Sequence, residues 1–149
     1  MILLVREACT ENVTIVRDQV TLQAEPGASV NSAAAQGANT ITVSGARNVS
    51  ISSLTVTGGV NGISVVGASN FTFSEGTVRG AGQNGIWVVS THFAIVGNTI
   101  EGNGAHGIAL MTAADGRDIN IGQTLGANTL PALRRQAQMV FQDPFSSLN

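Results

Sequence analysis

The chain repeats one short phrase. Asn61-Gly62-Ile63-Ser64-Val65 returns as Asn84-Gly85-Ile86-Trp87-Val88 and again as His106-Gly107-Ile108-Ala109-Leu110. Asn39-Thr40-Ile41-Thr42-Val43 is the same phrase without its glycine. Its isoleucines, Ile41, Ile63, Ile86 and Ile108, follow one another at almost equal steps. Within each phrase two apolar residues flank a third, so both point to one face of a strand. A single repeat of this kind cannot bury that face, whereas stacked repeats can. A fixed period of about 22 residues therefore predicts a β solenoid, with each repeat one rung.

Each rung offers three strand-like pieces. The first holds Ile41/Val43, Ile63/Val65, Ile86/Val88 and Ile108/Leu110. The second holds Val49/Ile51, Phe71/Phe73, Phe93/Ile95 and Ile119/Ile121. The third holds Leu54/Val56, Val78, Ile100 and Leu130. The longer step before Ile119 predicts an enlarged turn at Thr112–Arg117. Stacking would set Phe71 over Phe93 and build an interior column from the four isoleucines. Gly59, Gly62, Gly80, Gly82, Gly85, Gly102, Gly104 and Gly107 gather at one corner, where positive φ is expected. Asn61, Asn84 and Asn103 accompany them, since asparagine tolerates the same conformation and could also bond to the backbone of the adjacent rung. Upstream, residues 2–5, 11–15, 20–22 and 28–30 read as strands, and Asn31 to Ala38 as a surface loop.

Composition agrees with stacked strands. Charged residues are 11%, well below the roughly 25% of ordinary soluble proteins, and there are 18 glycines. A net charge of −2 gives no broad attraction to nucleic acid or an anionic membrane. Cys9 is the sole cysteine, so no intrachain disulfide or cysteine metal cluster forms. Met1–Val5 is too short for a signal peptide or a membrane span. A secreted or envelope parent whose start lies upstream is the favoured expectation.

Three stretches resemble the right-handed parallel β-helix repeat (pectate-lyase-like) proteins. Arg47-Asn48-Val49-Ser50-Ile51-Ser52-Ser53-Leu54-Thr55-Val56 resembles one recurrent rung of that family. Val96-Gly97-Asn98-Thr99-Ile100-Glu101-Gly102-Asn103-Gly104 resembles another, and Ile119-Asn120-Ile121-Gly122 matches in part. Glu11 to Leu22 looks like the family's opening coil. The resemblance covers about residues 3–130. It implies an all-β fold, a right-handed parallel β-helix solenoid of four to five rungs, truncated at its N-terminus and followed by a short non-repeat tail. The expected units are 1–130 and 131–149. The family's scaffold hosts many activities, so the resemblance speaks to fold and not to function.

The tail has another character. Residues 133–149, with Met139-Val140-Phe141-Gln142-Asp143-Pro144, resemble the Q-loop segment of oligopeptide and dipeptide ABC transporter ATP-binding subunits. By that resemblance Gln142 matches the glutamine near the nucleotide's γ-phosphate. No phosphate-cradling G-x-x-x-x-G-K-[ST] loop precedes it, so ATPase activity is not expected. A fusion or fragment junction near 130–133 is expected; Pro131 could start a helix, Met139-Val140-Phe141 could equally be a strand, and the tail caps the solenoid or stays disordered.

Chemistry-bearing residues are sparse. As candidates for a carbohydrate-active lyase or hydrolase, Glu75, Arg79, Glu101 and Asp115 stand out, although solvated turn charges are the favoured explanation of them. Arg79 and Glu101 are spaced to pair on adjacent rungs. Trp87 points outward and is a candidate sugar-stacking residue, with contact to a neighbouring loop as the alternative. Asp115 and Asp118 could hold calcium but lack a ligand-dense loop. His92 and His106 sit at turns, and no metal or other cofactor is expected. The sequons at Asn12, Asn48 and Asn70 are better read as turn asparagines than as glycosylation sites. The function expected is a non-catalytic β-helix of an extracellular or envelope protein, structural or polysaccharide-binding. The alternatives are a remnant of a polysaccharide lyase or hydrolase and a fragment fused to a peptide transporter subunit. End-to-end self-association through open solenoid ends is a further expectation.

Overall fold

The computed structural model describes residues 1–33, 37–89 and 92–111, and the backbone of 119–122 and 131–133. The chain winds through three strand directions per turn. The first rung is β1 (Ile2–Val5), β2 (Ala8–Thr10) and β3 (Val13–Ile15); the second is β4 (Thr21–Ala24), β5 (Ser29–Asn31) and β6 (Ile41–Ser44). The third is β7 (Arg47–Ser52), β8 (Thr55–Thr57) and β9 (Ile63–Val66). The fourth is β10 (Ser69–Ser74), β11 (Thr77–Arg79) and β12 (Asn84–Val89). The fifth is β13 (Phe93–Val96), β14 (Thr99–Glu101) and β15 (His106–Leu110), followed by β16 (Ile119–Gly122) and β17 (Pro131–Leu133). Every strand pairs in parallel with its counterpart one turn away. Sheet A runs β1-β4-β7-β10-β13-β16, sheet B β2-β5-β8-β11-β14, and sheet C β3-β6-β9-β12-β15-β17.

The register is like on like, as the repeat predicts. Ile41, Ile63, Ile86 and Ile108 are Cα partners in sheet C. Val49, Phe71, Phe93 and Ile119 align in sheet A, and Val56, Val78 and Ile100 in sheet B. The members of these columns whose burial is described are fully buried or nearly so. Each contributes about 1.5–3 kcal/mol by leaving water. That gain repeats on three sides of every rung.

The corners correct one expectation. Gly80 and Gly102 do take positive φ, +70° and +64°, between sheets B and C. Gly62, Gly85 and Gly104 do not; they are needed because backbones meet there. A Cβ on Gly85 would lie 2.6 Å from the Gly107 carbonyl oxygen and 2.7 Å from Asn103 Nδ2. The asparagines bond to the adjacent rung's backbone, as where Asn61 Oδ1 accepts the Asn84 amide (3.3 Å), and also to one another. Asn61 Nδ2 donates to Asn39 Oδ1 (2.9 Å), and Asn84 Nδ2 donates to Asn61 Oδ1 (3.0 Å). Asn98 and Asn103 are buried, and their Oδ1 atoms accept the amides of Gly76 (2.8 Å) and Ala81 (3.0 Å) one rung back. Left-handed residues among the non-glycines include Asn48 and Asn70, both at φ 56°. Asn70 Nδ2 donates to Asn48 Oδ1 at 3.0 Å, and Asn12 Nδ2 donates to Asn39 O at 2.8 Å. All three sequon asparagines thus take part in hydrogen bonds between rungs.

Two elements differ from the sequence reading. β2 has no counterpart in it, since Ala8-Cys9-Thr10 offers one inward residue only; Cys9 pairs with Val30, and that register makes the segment a strand. Pro131 begins a strand instead of a helix. It pairs with Ile108 one rung earlier, so the rung period outweighs the proline's helix-start preference. Proline is tolerated at the first position of a strand. The enlarged turn at 112–117, Leu130 and residues 134–149 lie outside the described residues, as do residues 34–36 of the expected surface loop. Among the described residues no helix is long and apolar enough to cross a membrane.

The glycine corner and the asparagine ladder each generate a test. Gly85→Ala should cost about 1–3 kcal/mol by overpacking, whereas Gly102→Asn, with no atom within 4 Å of a Cβ, should cost less than about 1 kcal/mol because asparagine tolerates positive φ. Urea denaturation midpoints compare the two. The ladder stops at Asn84, whose Oδ1 is buried without a donor; its partner in register is His106. His106→Asn should supply that donor and raise stability by about 1 kcal/mol, seen as a higher melting temperature.

Candidate functional site

Strand alternation sends one set of residues inward and the other out. In sheet B the inward set is Val56, Val78 and Ile100. Two outward columns flank it. Thr55, Thr77 and Thr99 form one; Asn31, Thr57, Arg79 and Glu101 form the other. The last three, with Gly80 and Gly102, line a shallow, open groove of about 410 Å³. The left-handed glycines turn the chain away at the end of each strand, and the groove runs along that corner.

Arg79 and Glu101 are therefore brought together as Cα partners on adjacent rungs. They are exposed and do not close into the expected ion pair; the ion pair formed among the described residues is Arg6–Glu25, at 3.7 Å. Glu75 is elsewhere. It occupies a left-handed position, φ 55°, at the corner between sheets A and B. Its side chain lies across the next rung's turn, since a Cβ on Gly97 would be 2.5 Å from Glu75 Oε1. Glu75 precedes β11 and Arg79 ends it, so the two stand at opposite ends of that strand. Two carboxyls that hydrolyse a glycosidic bond stand at roughly 5–9.5 Å. Among the described residues the groove holds a single carboxylate, that of Glu101. Asp115, Asp118 and Gln142 lie outside the described residues.

Trp87 sits on the outer face of sheet C, in register with Ser64 and Ala109. It is half-buried, and both of its small neighbours are buried, at 4% and 3% exposure. Val66, in the adjacent outward column, is 42% exposed. Trp87 and the sheet B groove thus occupy different faces of the solenoid. The histidines are separated too: His92 precedes β13 at the corner leading into sheet A, and His106 opens β15 in sheet C. Among the described residues no three His, Cys, Asp or Glu side chains are grouped to hold a metal ion.

Sequence reasoning singles out Arg79 and Glu101 but passes over Thr57. The signal is available: Thr57, Arg79 and Glu101 follow one another at steps of one rung. Compared with the curated proteins and with the solved structures, the chain finds no match. The family model described as a right-handed β-helix region matches residues 7–122. That span runs from within the first rung through β16, so the chain belongs to the right-handed β-helix family.

Proposed function

We propose that this chain is a non-catalytic β-helix of an extracellular or envelope protein, structural or polysaccharide-binding. The observation that supports this reading is the dispersal of the reactive groups. Glu75 and the Arg79–Glu101 pair stand at opposite ends of a strand, and the groove offers a hydroxyl, one cation and one carboxylate. Such a set suits hydrogen bonding to a polyol. It does not supply the acid and base that glycosidic cleavage needs. Trp87 adds a flat apolar surface on sheet C for one sugar ring.

The chain has one tryptophan and no tyrosine, so its intrinsic emission reports on Trp87. Titration with soluble neutral and acidic polysaccharides should shift that emission and reach saturation. Trp87→Ala should weaken binding about tenfold in calorimetry, the loss of roughly 1.4 kcal/mol. Incubation with the same glycans should release no new reducing ends and no unsaturated product. Product formation that Glu101→Gln or Arg79→Ala abolishes would sink the non-catalytic reading.

A further inference from the structure

Outward positions on packed sheets are ordinarily polar, and those of sheet C depart from that rule. One outward column runs Thr42, Ser64, Trp87 and Ala109; the next runs Ser44, Val66 and Val89. Met111 continues the second column, since its amide donates to the Val88 carbonyl oxygen at 2.8 Å. From β9 onward that column is apolar, and Val66 is 42% exposed. Ser64 and Ala109 point outward and are nevertheless buried. Trp87 is the large side chain in register with both, so its indole lies along the column over them and keeps its outer face open. β3, β6, β9, β12 and β15 contain no Asp, Glu, Lys or Arg; their one titratable residue, His106, opens β15 at the corner. An exposed apolar patch of this kind marks an interaction surface.

We propose that this face binds a neutral, unbranched polysaccharide whose sugar rings lie flat in an extended ribbon. The inference rests on the polysaccharide-binding reading above and names the class of polymer. A ring in such a ribbon has faces made of C–H groups and a rim of hydroxyls. One face stacks on the open indole of Trp87. A neighbouring ring lies over Val66 and Val89, where apolar contact needs no set direction. Two rungs from Trp87, about 10 Å, β6 offers hydroxyls to the rim. Ser44 is exposed, and Thr42 Oγ1 accepts from Asn39 Nδ2 at 3.3 Å, which leaves its own proton to donate. Charge decides the class. An acidic polymer would set its anions against strands that hold no Lys or Arg, and covering an unpaired charge is costly. A neutral ribbon meets no such penalty, and its apolar faces and hydroxyl rim match both kinds of residue on this sheet.

The probes are microcrystalline cellulose, an uncharged unbranched glucan, and soluble polygalacturonate, an acidic one. Depletion of the full chain from solution by cellulose should saturate and should not weaken as salt is raised, because no ion pair is involved. Polygalacturonate should not compete. Trp87→Ala should weaken adsorption about tenfold or more, and Trp87→Phe should restore most of it. Should Trp87→Ala fail to fold, Val66→Lys decides: its site is already exposed, and the added charge should lower adsorption about tenfold. Thr72→Lys, the same charge on the outer face of sheet A, should leave adsorption unchanged. Binding to polygalacturonate and not to cellulose overturns this proposal and leaves the polysaccharide-binding reading standing. Binding to neither removes both. Adsorption that Trp87→Ala and Val66→Lys leave intact also overturns the proposal. So does a concentration-dependent dimer in sedimentation equilibrium that Val66→Lys abolishes, since the face then belongs to a second copy of the chain.

Discussion

Parallel strands stacked in register, each about 4.8 Å from the next, set the terms for every residue in this molecule. At that spacing a side chain meets the residue one rung earlier and one rung later before it meets anything else. Phe71 packs between Val49 and Phe93, and Ile63 between Ile41 and Ile86. A slip of one residue would turn each apolar column to solvent. The register is therefore enforced on three sheets at once. The corners obey the same limit. Where backbones of successive rungs approach most closely, as at Gly85, no Cβ fits. Where an amide would be stranded, a buried asparagine such as Asn98 supplies the acceptor.

The same spacing decides which outward residues become neighbours. Arg79 and Glu101 lie one rung apart and stand side by side. Glu75 precedes Glu101 by one rung and the length of β11. That offset moves Glu75 to another corner and dissolves a possible carboxylate pair. The surface that results is shallow and open, with the chain's one tryptophan on a different face. A scaffold of this kind presents long regular surfaces easily. It assembles a compact reactive centre only when residues on neighbouring rungs share a register.

Much of this is legible beforehand because a repeat carries its own alignment. Three copies of the Asn/His-Gly-Ile phrase fix the period, and the period assigns Val49, Phe71 and Phe93 to one column without any coordinates. A segment with no second copy to be compared with is harder to place. β2 has one inward residue, and its extent is set by its pairing with β5. Local preference makes Pro131 a helix start, yet it stands one rung from Ile108 and pairing prevails. The corner glycines answer to two causes where the sequence suggests one. Positive φ and close approach select the same residue, and a sequence cannot separate them.

By itself the sequence determined the fold, the rung length, the inward columns and the neighbour relation of Arg79 and Glu101, because each follows from counting along a fixed period. Tertiary structure alone decided which corner holds Glu75, that Arg79 and Glu101 do not close into an ion pair, and that the asparagine ladder ends with an orphaned oxygen on Asn84. It also decided how far each inward residue of the first rung is covered. These depend on turn conformations and on what lies across space at an end rung. Periodicity is silent on both, since it describes the relation of one rung to the next and not the direction of each corner or the surroundings of an outermost rung.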